Sequence, residues 1–534
     1  MSECHQTVAD ILYDEIIKLG VEYVFLVPGA HIEPLLISLN MKKALKPIVA
    51  NHELAAGLMA LGYARATGKP GVVLSIGGPG ASYMVGAGVA AKADKTMVLF
   101  ITGDISIQGQ GKRGFQDASS KGSNDSAIFQ EAIGRSMICR HIEDMPEVIS
   151  ELWSSQLIST PFHIQIPIDI QKTKCKSIKF ENNNINTDIE LSPIKISKKI
   201  KTIIVIGYSA LEKFDHSKLI DFVKEHKIAV VTDVKSRGII PESAIESLGY
   251  IGFISDRRTL EVFNINSTLA VEQIIAIGVD DTLLKKYVDV SLRIVSLKPE
   301  EVDYRLYDSI LAKKDKKVIE QREDWLKELN LLTAIDLEPK SYPYKVSYIE
   351  MFISINHVMP DNTVYCLDSG QIRKAGSIFL KAYFPRSIIQ SDILSPMGFG
   401  ICAAIGAKLA SPDKPVISLF GDGSMRMHGM ELSTAVRYKL PIIFILCDNQ
   451  SYATTNRCGN LGEVTKLPKL DWSKYADSIG IKSFFIDTKQ RFEKCLKESL
   501  EISEPVLLWV NVPALLDDEF HDLRSLECTT WLSK

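Results

Sequence analysis

Short apolar runs alternate with amphipathic stretches along most of the chain. Apolar runs of this length, bounded by glycine or polar residues, are typical of strands buried in a parallel sheet. The amphipathic stretches, such as residues 426–439, carry apolar side chains at helical spacing. Strand, helix and strand in this order form a βαβ unit with parallel strands and a right-handed crossover. The pattern predicts strands at residues 21–27, 72–76, 97–102, 162–166, 202–207, 228–231, 273–278, 292–295, 416–420 and 441–447.

Two breaks in this pattern divide the chain into three parts. A polar tract at residues 172–199, with three consecutive asparagines, predicts a first linker. A charged helical stretch at 312–331 leads to a second linker at 338–343. The length of 534 residues is ample for several domains. We therefore predict an α/β fold of three doubly wound parallel-sheet domains, with boundaries at 1–172, 191–335 and 345–534.

Composition narrows the class of protein. The chain is 46% hydrophobic and 24% charged, and its formal net charge of −3 argues against a nucleic-acid-binding surface. No apolar run is long enough to span a bilayer, and the N-terminus lacks the basic start and apolar core of a secretory signal. The nine cysteines are scattered, without a Cys-x-x-Cys pair, as is usual for reduced thiols in a cytosol. We expect a cytoplasmic protein that binds neither nucleic acid nor membrane.

The last two predicted strands are each followed by residues with candidate chemistry: Gly421-Asp422-Gly423 after one, and Asp448-Asn449 after the other. Ligands bind where the carboxyl ends of neighbouring parallel strands meet. Carboxylate and amide oxygens suit Mg²⁺, which takes further ligands from phosphate and water, and the glycines allow backbone N–H groups close to a phosphate. We predict a site for Mg²⁺ and a diphosphate. An ordinary turn is the alternative for Gly-Asp-Gly alone, but it leaves the second pair unexplained.

Further motifs occur in order along the chain. They are VPGA at 27–30, NHELAAG at 51–57, GYARATGKPG at 62–71, GGPGAS at 77–82 and SPMGFG at 395–400. Together with the Asp422 and Asn449 segments, they resemble the thiamine-diphosphate-dependent enzymes, specifically the acetolactate synthase and 2-oxo-acid decarboxylase group. The resemblance extends over nearly the whole chain. It implies that the first domain binds the pyrimidine end of thiamine diphosphate, that the third binds its diphosphate end, and that the middle domain is a related spacer.

The resemblance also implies roles for individual residues. Glu53 would hydrogen-bond the pyrimidine ring and so promote loss of a proton from the reactive carbon. Met397 would support the bent cofactor, a task that suits a flexible apolar side chain. Without the resemblance, Glu53 is an ordinary surface helix residue and Met397 an ordinary core residue. The diphosphate would contact Gly421, Asp422, Gly423, Ser424 and Asn449, and Mg²⁺ would be bound by Asp422, Asn449 and the backbone carbonyl of Ser451.

A further implication of the resemblance concerns assembly. In the family, the glutamate comes from one subunit and the diphosphate site from another, so the active site lies at a dimer interface. We therefore expect a homodimer or a homotetramer, and we expect a monomer to be inactive.

Three segments bear on the substrate. Phe115 and Gln116 lie in a segment that resembles a pocket segment of acetolactate synthases, and Gln371 lies in a segment that resembles another. Both resemblances favour a small 2-oxo acid such as pyruvate as the substrate. Core packing is the alternative interpretation of Phe115. His31 stands where some relatives carry lysine, so it could bind a carboxylate or transfer a proton, for which its usual pKa is suited. The alternative is a loop histidine that faces water.

Several positions depart from the pattern of the anabolic acetolactate synthases. Cys458 stands where they have a tryptophan, and the strand end at 277–282 lacks their arginine. The segment at 207–210 is not a glycine-rich phosphate loop, which argues against bound FAD. Simple decarboxylases often have a histidine at the tip of the strand before Gly77, where this chain has Ile76. This last difference favours carboligation.

These inferences lead to one expected function and two alternatives. We expect decarboxylation of a 2-oxo acid, with pyruvate as the first candidate, that depends on thiamine diphosphate and Mg²⁺. It would end in carboligation to a second carbonyl compound, as in acetolactate synthase. The first alternative is a decarboxylase that releases an aldehyde without ligation. The second is a non-catalytic homologue that serves as a binding module, against which the retained Glu53, Asp422 and Asn449 argue.

Overall fold

Three parallel sheets, each covered by helices on both faces, make up the protein. The computed structural model describes residues 5–176, 198–211, 215–252, 255, 257–288, 292–307, 309, 313–332, 341–458 and 461–514. The predicted α/β class, with three doubly wound parallel sheets, is confirmed. Most of the first predicted linker, part of the second, and the predicted boundaries at 191, 335 and 534 lie outside the described residues, so the domain boundaries stay predictions.

The N-terminal sheet has six parallel strands. Its strands are β2 (Tyr23–Leu26), β3 (Lys46–Val49), β4 (Gly71–Ser75), β5 (Val98–Asp104), β6 (Ser136–Ile138) and β7 (Phe162–Pro167), in the order β3-β2-β4-β5-β7-β6. Its helices are α1 (Val8–Lys18), α2 (Glu33–Met41), α3 (Glu53–Thr67), α4 (Pro79–Ala93), α5 (Asp125–Ile133), α6 (Met145–Leu157) and α7 (Ile168–Gln171). An antiparallel pair, β1 (His5–Thr7) with β8 (Lys174–Lys176), joins the two ends of this domain; the apolar pattern does not predict it.

The middle sheet has five parallel strands and a different order. Its strands are β9 (Thr202–Ile206), β10 (Ala229–Asp233), β11 (Ser247–Ile251), β12 (Gln273–Ile277) and β13 (Arg293–Leu297), in the order β11-β10-β9-β12-β13. Its helices are α8 (His216–His226), α9 (Arg257–Phe263), α10 (Asp281–Tyr287) and α11 (Lys316–Leu331). The strand order reverses between β9 and β12, which is where such sheets usually bind ligands.

The C-terminal sheet repeats the strand order of the N-terminal one. Its strands are β14 (Val364–Leu367), β15 (Ile388–Gln390), β16 (Val416–Gly421), β17 (Ile442–Asp448), β18 (Lys482–Ile486) and β19 (Val506–Asn511), in the order β15-β14-β16-β17-β19-β18. Its helices are α12 (Tyr348–Val358), α13 (Gln371–Phe379), α14 (Phe399–Ala410), α15 (Asp422–His428), α16 (Glu431–Arg437), α17 (Trp472–Ser478) and α18 (Lys489–Leu500).

One predicted helix is wrong in its extent. The pattern at 426–439 predicts a single helix, whereas the structure has α15 and α16, separated by Gly429 and Met430. Glycine is the weakest helix former after proline, and the apolar stripe continues across the break, so the pattern alone conceals it. The break matters because α15 now begins at Asp422, directly after β16.

The N-terminal and C-terminal domains share one hydrophobic core through α3 and α14. The two helices approach closely at small residues: a Cβ atom at Gly62 would lie 2.4 Å from Ala403 Cα, and one at Gly406 would lie 2.1 Å from the carbonyl oxygen of Met59. The contact fixes α3, which begins with Glu53, against the helix that follows the Met397 segment. None of the helices in the described part of the chain combines the length and hydropathy that a membrane span requires.

Candidate active site

The tips of β16 and β17 bring the predicted metal ligands side by side. The two strands are parallel neighbours, with Gly421 paired to Cys447. Asp422 therefore emerges next to Asp448 and Asn449 at the carboxyl edge of the sheet. On its other side, β16 pairs with β14, and the strand order reverses between these two strands. This is the position at which open α/β sheets bind ligands, although the role of each residue as a ligand stays a prediction.

Two buried carboxyl groups lie against each other at these tips. Asp422 and Asp448 are each only 3% exposed, and their carboxyl groups are in contact. Burial, and then the negative charge of Asp448, raise the pKa of Asp422 to about 7. Asp422 Oδ2 is buried without a hydrogen-bond partner, whereas Asp448 Oδ2 accepts from Trp509 Nε1 at 2.9 Å. A cation at Asp422 would satisfy the unpaired oxygen and relieve the repulsion.

Further oxygen donors for a cation lie in the segment after β17. Asn449 Oδ1 accepts a hydrogen bond from the Ser451 N–H at 3.0 Å, which holds the amide next to this turn. Within the described ranges, no cluster of three or more His, Cys, Asp and Glu side chains is placed to hold a metal. The Asp422 carboxylate with the neutral oxygens of Asn449 and Ser451 is the type of ligand set that suits Mg²⁺, and this assignment stays a prediction.

Met397 lies against the same tips. A Cβ atom at Gly423 would lie 2.7 Å from Met397 Cε and 2.6 Å from Tyr452 Cε1. Only glycine fits at Gly423, and the segments that follow β15, β16 and β17 meet there. Tyr452 is a residue of this site that the sequence interpretation missed; its position directly after Ser451 was the available signal.

The Ser424 hydroxyl has a partner inside the protein, and the predicted contact of this residue with the diphosphate stays a prediction. Its side chain is 1% exposed, and its hydroxyl donates to Asp368 Oδ1 at 2.7 Å. Gly423 N–H donates to Asp422 Oδ1 at 3.0 Å. The Ser424 hydroxyl is thus engaged inside the protein, and a contact of this residue with a diphosphate would have to use its backbone.

Gln371 lies at a second tip of the same edge. It begins α13, after Gly370, whose φ of +98° favours glycine. Its side chain is half-buried, and β14, which precedes it, is the neighbour of β16. The structure therefore brings the Gln371 segment to the same switch point as Asp422.

The carboxyl edge of the N-terminal sheet gathers the other predicted substrate residues. His31 follows β2, Gly78 follows β4 and Gln116 lies in the loop after β5. A Cβ atom at Gly78 would lie 3.6 Å from Gln116 Cβ, so these two loops touch. Asp125 fixes the Gly78 loop, because its buried carboxylate accepts from the Gly78 N–H at 2.7 Å. Burial raises the pKa of Asp125 to about 6.

His31 and Phe115 can now be assigned to distinct environments. His31 is half-buried, its carbonyl accepts from Gln171 Nε2 at 2.8 Å, and its Nδ1 is buried without a hydrogen-bond partner. A histidine that simply faces water is therefore not what the structure shows. Phe115 is 80% exposed, so the alternative interpretation of Phe115 as a core residue is wrong.

Glu53 begins α3 and is held at the junction of two domains. The helix is capped by His52 Nδ1, which accepts from the Leu54 N–H at 3.0 Å. The preceding Asn51 N–H donates to the buried carboxylate of Glu431 in α16 at 3.1 Å. Glu53 itself is half-buried, and its carboxylate makes no hydrogen bond or ion pair with the residues that the structure describes. It is available to a ligand or a neighbouring molecule.

Ile76 and Cys458 stand at two positions where this chain differs from the enzymes that it resembles. Ile76 follows β4 and packs under the loop after β2, where a Cβ atom at Gly29 would lie 2.4 Å from Ile76 Cγ2. The side chain of Ile76 therefore offers no proton at the position where simple decarboxylases often have a histidine. The backbone of Cys458 ends a 3-10 helix, Ala453–Cys458, and its side chain lies outside the described residues.

The carboxyl edge of the middle sheet is the place where FAD would be expected to bind in this domain. A nucleotide would bind where the strand order reverses, between β9 and β12. The loops after these strands touch: a Cβ atom at Gly207 would lie 2.2 Å from the carbonyl oxygen of Gly278, and Ser209 Oγ donates to that oxygen at 2.7 Å. Protein atoms therefore close the crevice.

Acidic side chains accept hydrogen bonds from backbone N–H groups along the same edge. Asp215 accepts from the first N–H groups of α8, and Asp280 does so at α10. Asp233, which ends β10, accepts from the N–H groups of Tyr208 and Ser236, each at 2.8 Å. Phosphates bind to N–H groups of this kind. Here they are already paired with carboxylates, whose charge would repel a diphosphate.

Two families match the parts of the chain that carry these sites. Residues 6–123 match the thiamine pyrophosphate enzyme, N-terminal TPP binding domain. Residues 368–510 match the thiamine pyrophosphate enzyme, C-terminal TPP binding domain. The first range contains Glu53 and His31, and the second contains Met397, Asp422 and Asn449.

Relatives of known name are similar over most of the chain. The probable acetolactate synthase large subunit of Methanocaldococcus jannaschii is 28% identical over 92% of this chain and 89% of its own length. The acetolactate synthase large subunit of Haemophilus influenzae is 26% identical over 93% of each chain. A solved structure, the thiamine diphosphate-dependent 4-hydroxybenzoylformate decarboxylase of Rhodococcus jostii RHA1, has the same fold, with a TM-score of 0.72 over 95% of this chain and 99% of its own, at 19% identity.

Proposed function

Since this chain belongs to the thiamine-diphosphate-dependent enzymes, we propose that it decarboxylates a 2-oxo acid with the help of Mg²⁺ and joins the remaining carbon unit to a second carbonyl compound. When bound, thiamine diphosphate would supply a nucleophilic carbon that attacks the 2-oxo group and a thiazolium ring that takes up the electrons of the broken carbon–carbon bond. The observation that carries the proposal is the buried, unpaired oxygen of Asp422 beside Asn449, at the switch point of a sheet that matches the diphosphate-binding domain.

The residues at this edge fit the diphosphate and its metal. Asp422, Asn449 and the carbonyl of Ser451 would hold Mg²⁺, which would also contact the diphosphate. Gly421 would leave the backbone accessible to phosphate oxygens, since a Cβ atom there would meet only the Cys447 carbonyl oxygen, at 4.0 Å, whereas the Gly423 N–H already donates to Asp422 Oδ1. Met397, packed on Gly423, would support the bent cofactor from the side of β15.

The N-terminal domain would contribute the groups that act on protons and substrate. Glu53 would hydrogen-bond the pyrimidine ring, for which its carboxylate is available. His31 and Gln116 stand at one sheet edge and would bind the 2-oxo acid, together with Gln371. By analogy with the family, we expect Glu53 of one subunit to serve the diphosphate site of another, in a homodimer or homotetramer.

Two observations favour carboligation. Relatives that are similar over nine-tenths of the chain include proteins named acetolactate synthase large subunit. In addition, the side chain at the tip of β4 is that of Ile76, which is packed against Gly29 and cannot protonate the product of decarboxylation. The nucleophilic carbon formed by decarboxylation would then attack a second carbonyl compound. Pyruvate as both substrates would give acetolactate and one carbon dioxide from two pyruvates.

One observation favours release of an aldehyde as the second candidate. His31 Nδ1 is buried without a partner and could deliver a proton in place of a carbonyl acceptor. A non-catalytic binding module has no such support, because the Glu53 carboxylate has no partner among the described residues and Asp422 keeps a buried, unpaired oxygen.

Product analysis separates the two candidates. We expect the purified protein, supplied with pyruvate, Mg²⁺ and thiamine diphosphate, to form acetolactate with one carbon dioxide per two pyruvates consumed. Acetaldehyde with one carbon dioxide per pyruvate would contradict carboligation, and a His31→Asn variant would then show whether His31 is the proton donor. If no carbon dioxide appears, other 2-oxo acids are the next substrates, and loss of carbon dioxide from none of them would refute the proposed reaction.

We further propose that the enzyme works without FAD. Among the described residues, the loops after β9 and β12 touch, and Asp215, Asp233 and Asp280 already accept from N–H groups at this edge, which argues against a dinucleotide site. The visible spectrum of the purified protein should show no flavin, and added FAD should leave the melting temperature unchanged. A stoichiometric flavin in the purified protein would overturn this prediction.

A further inference from the structure

Asp368 has no assigned role, yet it lies at the centre of the cofactor edge. It follows β14 and is fully buried. Its Oδ1 accepts from Ser369 N–H at 2.7 Å, Gly398 N–H at 3.0 Å and Ser424 Oγ at 2.7 Å. Its Oδ2 accepts from Gly400 N–H at 2.8 Å. One side chain thus joins three separate segments of the chain.

Each of these segments carries a residue of the proposed site. The segment of Asp368 continues to Gln371, the segment of Gly398 follows Met397, and Ser424 lies two positions after Asp422. The connections are tight, because a Cβ atom at Gly400 would lie 2.8 Å from the backbone nitrogen of Asp368. Small shifts of the Asp368 carboxylate would therefore move all three segments.

The carboxylate also supplies the cap that α14 lacks. Gly398 is the N-cap residue of this helix, with a φ of +89° that favours glycine, and it has no side chain to offer. The first N–H groups of a helix have no partner within it. Asp368 accepts from two of them, Gly398 and Gly400, and so fixes where the helix begins, directly after Met397.

The chemistry of these bonds requires an ionised carboxylate. All four partners are donors, and only a carboxylate has acceptor sites on both oxygens. Burial raises the pKa of Asp368 to about 6 against the effect of its hydrogen bonds, so the group is ionised at neutral pH. An asparagine would keep the shape but would turn one NH₂ group towards an N–H donor and so leave a buried donor unpaired.

We propose that Asp368 is a positioning residue, which sets the spacing between Met397, Asp422 and Gln371 that cofactor binding requires. It touches neither the diphosphate nor the metal in this proposal; it acts through the N–H groups of Gly398 and Gly400 and the hydroxyl of Ser424. The inference rests on the proposed function, because it needs thiamine diphosphate to bind at this edge.

The test measures cofactor affinity as well as stability. Thiamine diphosphate is titrated at saturating Mg²⁺ into the wild-type protein and into Asp368→Asn, with melting curves recorded without cofactor. We expect Asp368→Asn to weaken cofactor binding about 10- to 100-fold, the range seen when groups that orient ligands are removed. Ser424→Ala removes one of the four bonds and should weaken binding about 5-fold.

Asp233→Asn is the matched control. Asp233 is another buried carboxylate at the tip of a parallel strand, and it accepts from Tyr208 N–H, Ser236 N–H and Ser236 Oγ. It lies in the middle domain, away from the proposed site. We expect this variant to lower the melting temperature in the same way as Asp368→Asn while its cofactor affinity stays within about 2-fold of the wild type.

The outcomes separate the inference from the proposed function. If the wild-type protein does not bind thiamine diphosphate, both fall together. If the wild type binds it, and Asp368→Asn loses stability but keeps full affinity, the positioning role alone is refuted. Should Asp368→Asn fail to fold, Ser424→Ala decides the matter, because unchanged affinity in that variant contradicts the inference.

Discussion

Replacing Glu53 by glutamine will lower the rate of carbon dioxide release by about 100-fold or more, the usual loss when a group that transfers protons is removed. The carboxylate is half-buried at the start of α3 and has no partner within the described chain, so it is free to hydrogen-bond the pyrimidine ring of the cofactor. Glutamine has nearly the same shape, but it cannot hold or release a proton. The measurement is the steady-state release of carbon dioxide from pyruvate at saturating Mg²⁺ and thiamine diphosphate.

A matched variant isolates this effect from a change in the helix start. Glu147 is also an acidic residue in the first turn of a helix of the same domain, and it is exposed. Glu147→Gln should keep the wild-type rate. The affinity of Glu53→Gln for thiamine diphosphate should fall far less than its turnover. A rate in Glu53→Gln equal to that of the wild type would show that the family mechanism does not operate in this protein.

Asp422→Asn will have the second large effect, on the binding of the metal and the cofactor. Removal of a group that only orients a metal ligand typically lowers the metal affinity about 10- to 100-fold. Loss of the charge of a ligand itself should therefore lower the affinity for Mg²⁺ at least about 100-fold. The measurement is a titration of Mg²⁺ at fixed thiamine diphosphate, with binding followed by calorimetry. Asp487→Asn is the control, because Asp487 also follows a strand of this sheet, β18, but stands at its outer edge.

The same variant has an opposite effect on the metal-free protein. The pKa of Asp422 is raised from its ordinary value of 3.8 to about 7, so the folded state holds this proton more tightly than the unfolded state does. Stability from this group is therefore lost as the pH rises towards 7. Without metal, Asp422→Asn should be more stable than the wild type at pH 8. At pH 5 the difference in the free energy of unfolding between the two proteins should be smaller. Equal metal affinity in the variant and the wild type would show that Asp422 does not bind the metal.

The sequence pattern predicts the sheets well because their strands are buried on both faces. Every predicted strand overlaps an observed one, and the two strands before Asp422 and Asn449 are neighbours, as a βαβ unit requires. Seven strands of the parallel sheets are missed: β3, β6 and β18 have few buried apolar side chains, but β11, β14, β15 and β19 are largely buried, so weak apolar character does not explain their omission. The antiparallel pair of β1 and β8 is also missed, since strands so far apart in the chain leave no local signal.

The parts of the site that escape the sequence depend on contacts between distant segments. Asp368 gains its importance from donors about 30 and 56 positions away, which no spacing rule connects. The carboxylates at the middle sheet edge are visible as residues, but only the backbone shows that they occupy its N–H groups. Phe115 illustrates the reverse case: an apolar residue suggests a core position, and the structure places it in an exposed loop.

The central claim is that thiamine diphosphate binds at the tips of β16 and β17 through a metal held by Asp422. Calorimetric titration of the wild-type protein with thiamine diphosphate tests it directly, once with Mg²⁺ and once with EDTA. We predict one saturable site per subunit that disappears with EDTA and is strongly weakened in Asp422→Asn. Absence of binding in the presence of Mg²⁺, or binding that neither EDTA nor this substitution changes, would contradict the account.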